Sequence, residues 1–291
     1  MHTTDHLTQT PTKSSLLTTF IIGIAVILAA ACSPTPPTST PMPTETPQIS
    51  ITVSGSGSVS SLLTAVEADF ETANAGYNLN ILSGTGTAGG VQGIVDGSLT
   101  AAAMARSPRE EETAQGIQYV GIGSAGIAFV VHPDVEVTNL TAEQVRDIFF
   151  GEITNWSEVG GQDLPIAVYV RDEDDAATGV LRDTLFGDDA FPETVAGVMT
   201  SSSALLTGVE TTEGSIGYGS YPAVIVAEKN IETLTVDDAA PNTADYPAIS
   251  SVGIGYMESQ QAAVQPMIDW LQSEDGIALL RDLGVIIEQS S

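Results

Sequence analysis

With 291 residues and 42% hydrophobic side chains, the chain can bury one large core or two medium ones, which excludes a disordered polymer. Lys and Arg number 8 against 37 Asp and Glu, a formal net charge of -29. Such a surface repels nucleic-acid phosphates and anionic lipid heads, so nucleic acid is excluded as a partner, and the acidity itself reads as a solvated shell.

Residues 16–31, LLTTFIIGIAVILAAA, are a continuous largely apolar run shortly after Lys13. Its length suits a signal-peptide core better than a membrane span, which needs roughly 20 residues. Residues 1–31 are therefore expected to be a signal peptide. Cys32 is the only cysteine, and the three alanines before it resemble the lipobox of bacterial lipoproteins, with Leu28 one place further back than usual. Lipid attachment at Cys32 would use the sole thiol, and the exported domain then folds without disulfides. In residues 33–47, SPTPPTSTPMPTETP, 13 of 15 are Ser, Thr or Pro, a composition that favours extended backbone and buries no core. Residues 32–47 thus read as a tether and 48–291 as the folded domain.

Within that domain ISITVSG predicts a strand, and SSLLTAVEADFETAN predicts a helix with Leu62, Leu63, Val66 and Phe70 on one face and Ser60 or Ser61 as N-cap. The loop SGSGS lies between them. YNLNIL alternates as a strand and enters SGTGTAGG, after which Val91, Ile94 and Val95 space out as a short helix. Twice, then, a strand feeds a Gly/Ser/Thr loop that opens a helix, which predicts βα units on a mostly parallel sheet. LTAAAMA, IQYVGIG, GIAFVVH, LPIAVYV, GSIGYGS and VGIGYM predict further strands. Thr141 and Gln144 have the spacing of a capping box, opening a helix with Val145, Ile148 and Phe149. Residues 262–287 predict two amphipathic helices and a terminal strand. The class is α/β.

A helix start carries unpaired N–H groups and a positive dipole end, so a Gly/Ser/Thr loop there can cradle an oxyanion, with Ser58 and Thr87 adding hydroxyls. Arginines are scarce, and Arg106 and Arg171 each end a predicted strand, where open α/β sheets bind ligands. Either could be a bidentate donor to an oxyanion or a surface group paired with one of the many acids. The three histidines are His2, His6 and His132, and neither a Gly-x-Ser-x-Gly elbow nor a Cys/His metal spacing occurs. Nucleophilic hydrolysis and a zinc site therefore lack their usual residues. Only carboxylate chemistry around Asp172, Glu173, Asp174 and Asp175 stays formally open to an enzyme.

Taken in order, GSGSVSSL, GTGTAGGVQGIVDGSL, MARSPREEE, LTAEQVRDIFFGEITNWSEVGG, LPIAVYVRDED and GSIGYGS resemble the PstS-like phosphate-binding lipoproteins of ABC phosphate importers. The resemblance runs from about residue 49 to 287, and residues 140–161 are its most specific piece. It implies a two-lobed type II periplasmic-binding-protein fold, with a mixed, mostly parallel sheet in each lobe and crossover hinge strands. Lobe 1 would take about 48–130 and 220–291, lobe 2 about 131–219. It also implies a monomeric carrier, not an enzyme, with no cofactor or metal. Held outside the cell membrane by its lipid anchor, such a carrier brings phosphate or a similar oxyanion to ABC permease subunits. Carried over by position, Gly57, Ser58 and the Val59 backbone bind from the first loop, Thr87 from the second, Arg106 from the next strand end and Arg171 from the other lobe.

One loop departs from the family pattern. Where the family has Ser-Gly-Thr after the arginine, this chain has Asp175, Ala176 and Ala177. Thr178 supplies a hydroxyl if the loop shifts by one, and the alanines keep their N–H groups. A carboxylate against a dianion costs several kcal/mol even at an effective dielectric near 20. A single carboxylate can also accept the proton of hydrogen phosphate and so reject sulfate. A second reading therefore stands beside the first: a related protein with altered specificity, for another oxyanion, a cation or a polar solute, or a sensor.

Overall fold

The structure, a computed structural model, describes residues 48–287; the expected signal segment, Cys32 and the Ser/Thr/Pro tether lie outside the described residues. Strand β1 (Ile49–Gly55) leads into helix α1 (Gly57–Ala73), which buries Val59, Leu62, Leu63, Val66 and Phe70 at three- to four-residue spacing. This helix begins ahead of the predicted Ser60 or Ser61, with Ser56 as its N-cap. Strand β2 (Tyr77–Ile81), helix α2 (Gly86–Val95) and strand β3 (Ala101–Met104) follow, and β2 and β3 both pair with β1 in parallel. The two successive βα units are thus present as the sequence predicts.

After a short helix, α3 (Glu110–Thr113), comes β4 (Ile117–Val131). The sequence predicts two strands here; the structure has one strand of 15 residues. Its two apolar runs serve different halves of the sheet. Its first part pairs with β11 (Ile249–Met257), and its last five residues pair with β8 (Ser215–Ser220). Between β4 and β8 lie β5 (Asn139–Leu140), α4 (Ala142–Phe149), β6 (Ala167–Arg171), α5 (Ala176–Leu181), β7 (Gly197–Met199) and α6 (Ser202–Thr211). Between β8 and β11 lie α7 (Tyr221–Val226), β9 (Glu232–Thr233) and β10 (Thr235–Val236), and the described chain ends with α8 (Gln261–Leu271) and α9 (Glu274–Asp282). The box that opens α4 forms as predicted: the Gln144 N–H donates to Thr141 Oγ1 at 3.1 Å, and the Thr141 N–H donates to Gln144 Oε1 at 2.9 Å. The predicted terminal strand reduces to one bridge between Ser124 and Ile286.

The strand order is β2-β1-β3-β11-β4-β8-β6-β7. The outer pairings, β1 with β2 and β3 and β6 with β7 and β8, are parallel; the central ones, through β11 and β4, are antiparallel. Two parallel halves are therefore joined by crossover strands, an α/β fold with a mixed sheet. One core gathers Ile51, Val53, Leu63, Val66 and Phe70 against Met267 and Trp270; a second gathers Phe129, Phe149, Trp156, Phe186 and Tyr218. Leu234, Val236, Tyr246 and Ala248 join the second core, although the sequence places 220–291 with the first lobe. The cause is local: β9 pairs with the far end of β4, and the Tyr246 hydroxyl donates to the Ile127 carbonyl at 3.1 Å. Among the described residues no helix is long and apolar enough to cross a membrane.

Candidate functional site

Helices α1 and α2 both start at one cleft. The Ser56 hydroxyl makes no cap bond to α1 but lies 2.9 Å from Ser58 Oγ, and the Thr85 hydroxyl makes none to α2. The first-turn N–H groups of both helices therefore have no side-chain cap, the condition under which a helix start favours an anion. Backbone contact holds the two loops together, since a Cβ on Gly84 would lie 2.9 Å from the Gly57 Cα. Gly55 turns the chain into α1 at φ +140°, in the region that side chains avoid.

The opposite wall comes from the second half of the chain. Strand β6 ends at Arg171, whose N–H donates to the Tyr218 hydroxyl at 2.9 Å. Its guanidinium donates from Nε to the Met199 carbonyl and from one terminal nitrogen to Ser202 Oγ, both at 2.9 Å. The other terminal nitrogen lies 2.9 Å from Asp175 Oδ2. Asp175 is the N-cap of α5, its Oδ1 accepting from the N–H groups of Ala177 at 3.0 Å and Thr178 at 3.4 Å. Below this loop, Thr178 Oγ1 and the Tyr218 hydroxyl lie 2.6 Å apart, and the Tyr218 ring packs on Phe149 at 5.7 Å. Burial pushes the Tyr218 phenol up to about 12, so it stays protonated and can donate. The aromatic core thus fixes the height of the α5 loop.

The cleft between these walls encloses about 350 Å³. Ser56, Gly57, Ser58, Gly84, Thr85, Gly86 and Ala105 line one side; Arg171, Asp172, Asp174, Asp175, Ala176, Ala177 and Thr200 to Ser202 line the other, with Ser220 and Ser250 between. Among the described residues Arg171 is the only cationic side chain in this lining. A larger hollow of about 1050 Å³ lies along β4, β11, α8 and α9. Its lining mixes glycine and aliphatic residues with Ser124, Ser251, Gln272, Glu274 and Arg281, and the start of α9 beside it is closed by its Ser273 cap, so it lacks the uncapped helix starts of the smaller cleft.

Of the residues singled out in the sequence, Gly57, Ser58, Arg171, Asp175, Ala176 and Ala177 meet at this cleft. Four do not line it. The Val59 side chain is buried in the first core, although its N–H belongs to the uncapped turn. Thr87 is buried, and its Oγ1 accepts from the Ala105 N–H at 3.2 Å. Thr178 is fully buried beneath the loop. Arg106 turns aside to Glu112 with two bonds of 2.7 Å, and Ala105 faces the cleft in its place. Glu112 is pulled down to about 2, first by its hydrogen bond to Arg106, and the same bond raises Arg106. Glu173 pairs with Arg182 at 2.7 Å, and His132 Nδ1 lies 2.6 Å from Asp134. Sequence reasoning named the two loops that hold Ser56, Gly84, Thr85 and Gly86 without singling those residues out, and it missed Thr200 to Ser202, Ser220 and Ser250. The run TSSS before α6 repeats the strand, hydroxyl loop and helix pattern that marks the first two loops, so Thr200 to Ser202 were within reach.

Residues 40–290 match the PBP superfamily domain. The chain belongs to the PBP superfamily. Two cores joined by crossover strands, with a cleft between them, are this superfamily's two-lobed architecture. Relatives within it include the phosphate-binding protein PstS of Borreliella burgdorferi, 25% identical over 214 residues, 69% of this chain and 77% of the relative. The phosphate-binding protein PstS of Bacillus subtilis is 27% identical over 161 residues, 53% of this chain and 52% of the relative. Among solved structures, one from Clostridium perfringens described as a phosphate ABC transporter substrate-binding protein, with bound phosphate, superposes with a TM-score of 0.72 at 25% identity, covering 82% of this chain and 100% of that one. An ABC-type phosphate transport receptor from Vibrio cholerae gives 0.60 at 25% identity, over 82% and 100%. In a superfamily whose members share a fold, the ligand is decided by the cleft.

Proposed function

We propose that the protein captures inorganic phosphate, or a closely similar oxyanion, in this cleft and delivers it to the permease of an ABC importer. It is a carrier, not a catalyst, and works as a monomer. The observation that carries the reading is the uncapped start of α1 at Ser56 to Ser58 set across the cleft from Arg171. Backbone N–H groups, hydroxyls and one guanidinium are the donors an oxyanion needs, and each charge-assisted bond contributes roughly 1.5–3 kcal/mol. Arg106, Thr87 and Thr178 act on the frame of the site and not on the ligand. The relatives named for phosphate favour this anion over a cation or polar solute, and Asp175 is held by Arg171 and not free to take a cation.

Cys32 anchors the chain through lipid to the outer side of the cell membrane, and residues 33–47 hold the carrier off that surface. Labelled fatty acid should enter the chain in cells and be lost in Cys32→Ser. The described residues 48–287 belong to one compact unit suited to calorimetry. Phosphate should give saturable one-to-one heat at neutral pH, whereas silence with phosphate, arsenate and sulfate alike would contradict the oxyanion reading.

A further inference from the structure

We infer that Asp175 is a built-in competitor of the bound anion and sets how tightly the cleft holds it, an inference that rests on the phosphate reading above. Oδ2 of Asp175 sits 2.9 Å from a terminal guanidinium nitrogen of Arg171, while Oδ1 accepts from the N–H groups of Ala177 and Thr178. One carboxylate thus covers the cation and the helix-start amides that the second lobe would offer to an oxyanion. Both partners are well shielded, with side chains 11% and 17% exposed for Arg171 and Asp175. The rest of the guanidinium is held by the Met199 carbonyl and Ser202 Oγ, while the nitrogen that meets Asp175 also reaches the Thr200 carbonyl at 3.5 Å.

An incoming phosphate cannot simply add to this arrangement. It would meet donors already in use and a like charge beside them, in a site screened little by solvent. Binding on this wall is therefore an exchange, in which the Asp175 carboxylate leaves Arg171 and the α5 amides and phosphate oxygens take its place. The facing wall is different: Ser56 to Ser58 and Gly84 to Gly86 include no acidic side chain, so an anion engages it without displacing anything. Asp175 consequently lowers affinity and screens the ligand. A singly charged carboxylate ligand gains little by replacing a carboxylate, while a doubly charged oxyanion gains from its extra charge.

Asp175→Asn keeps an oxygen that can cap Ala177 but removes the charge, and Asp175→Ser is a second capping residue without it. Arg171 stays oriented in both through Met199 and Ser202. In calorimetric titrations of the full chain with inorganic phosphate, both variants should bind at least tenfold more tightly than wild type, a change of about 1.4 kcal/mol. Wild-type binding with unchanged or weaker binding by both variants would overturn the competitor role and leave the phosphate reading standing. No binding by wild type or by either variant would overturn the phosphate reading and the competitor role together.

Discussion

Arg106 and Glu112 meet fork to fork, two nitrogens on two oxygens at 2.7 Å each, and the Glu112 carboxylate also accepts the Arg109 N–H at 2.7 Å. Glu112 is nearly buried, its side chain 8% exposed, so the pair closes the loop after β3 and holds Arg106 out of the cleft lining. Glu112→Gln should cost on the order of 1–3 kcal/mol in urea unfolding, the range for hydrogen bonds to charged groups. Because neither Glu112 nor Arg106 lines the cleft, phosphate affinity should stay within about threefold of wild type.

The same pair gives the stability a direction with pH. The folded Glu112 carboxyl titrates at about 2 and an unperturbed one near 4.5. A depressed folded value means that its contribution is complete above pH 4.5 and fades as pH falls toward about 2. Thermal unfolding scans across that window should therefore show a shallower loss of stability in Glu112→Gln than in wild type. An identical slope in both proteins would show that other carboxylates set the acid limb.

Tyr218 links the core to the cleft loop, and Tyr218→Phe leaves the Arg171 N–H and Thr178 Oγ1 without that partner. A loss on the order of 1–3 kcal/mol is expected, since buried donors and acceptors are left unmet. The phenol provides a second check. Its folded value is raised from 10.0 to about 12, so its stabilisation is complete below pH 10 and is lost as pH rises through 12. Burial also raises Tyr119 and, further still, Tyr246, so ultraviolet titration should find one late-appearing tyrosinate fewer in the variant than in wild type.

Much of this architecture was legible in the chain, and the reasons for the exceptions are physical. The repeated strand, Gly/Ser/Thr loop and helix pattern gives both uncapped helix starts correctly, and Arg171 at a strand end reaches the cleft. The single long β4 was hidden because its two apolar runs face different partners and local periodicity carries no sign of a shared strand. Arg106 was misplaced because the sequence shows many acids near it but not that Glu112, six residues on, turns back onto it. Asp175 was visible as a foreign residue, yet its dual role as cap of α5 and partner of Arg171 depends on the turn that brings Oδ1 to Ala177 and Oδ2 to the guanidinium.

Gly84 gives a test of the first wall alone. Gly84→Ala places a methyl group 2.9 Å from the Gly57 Cα, and the two loops must part by several tenths of an ångström to admit it. Positioned donors lose strength steeply with such shifts, so phosphate binding should weaken about tenfold or more. The melting temperature should fall only by a few degrees, as expected of roughly 1 kcal/mol in a chain of this size. Unchanged affinity would mean that the loops of α1 and α2 do not jointly hold the ligand.

The most direct measurement is a crystal structure of the protein grown with phosphate. Phosphate should lie between the first turn of α1, with Ser58 Oγ in contact, and the Arg171 guanidinium, with the Asp175 carboxylate displaced from that guanidinium. Phosphate bound elsewhere, or a cleft filled by a cation on Asp172, Asp174 and Asp175, would contradict capture of an oxyanion at this site.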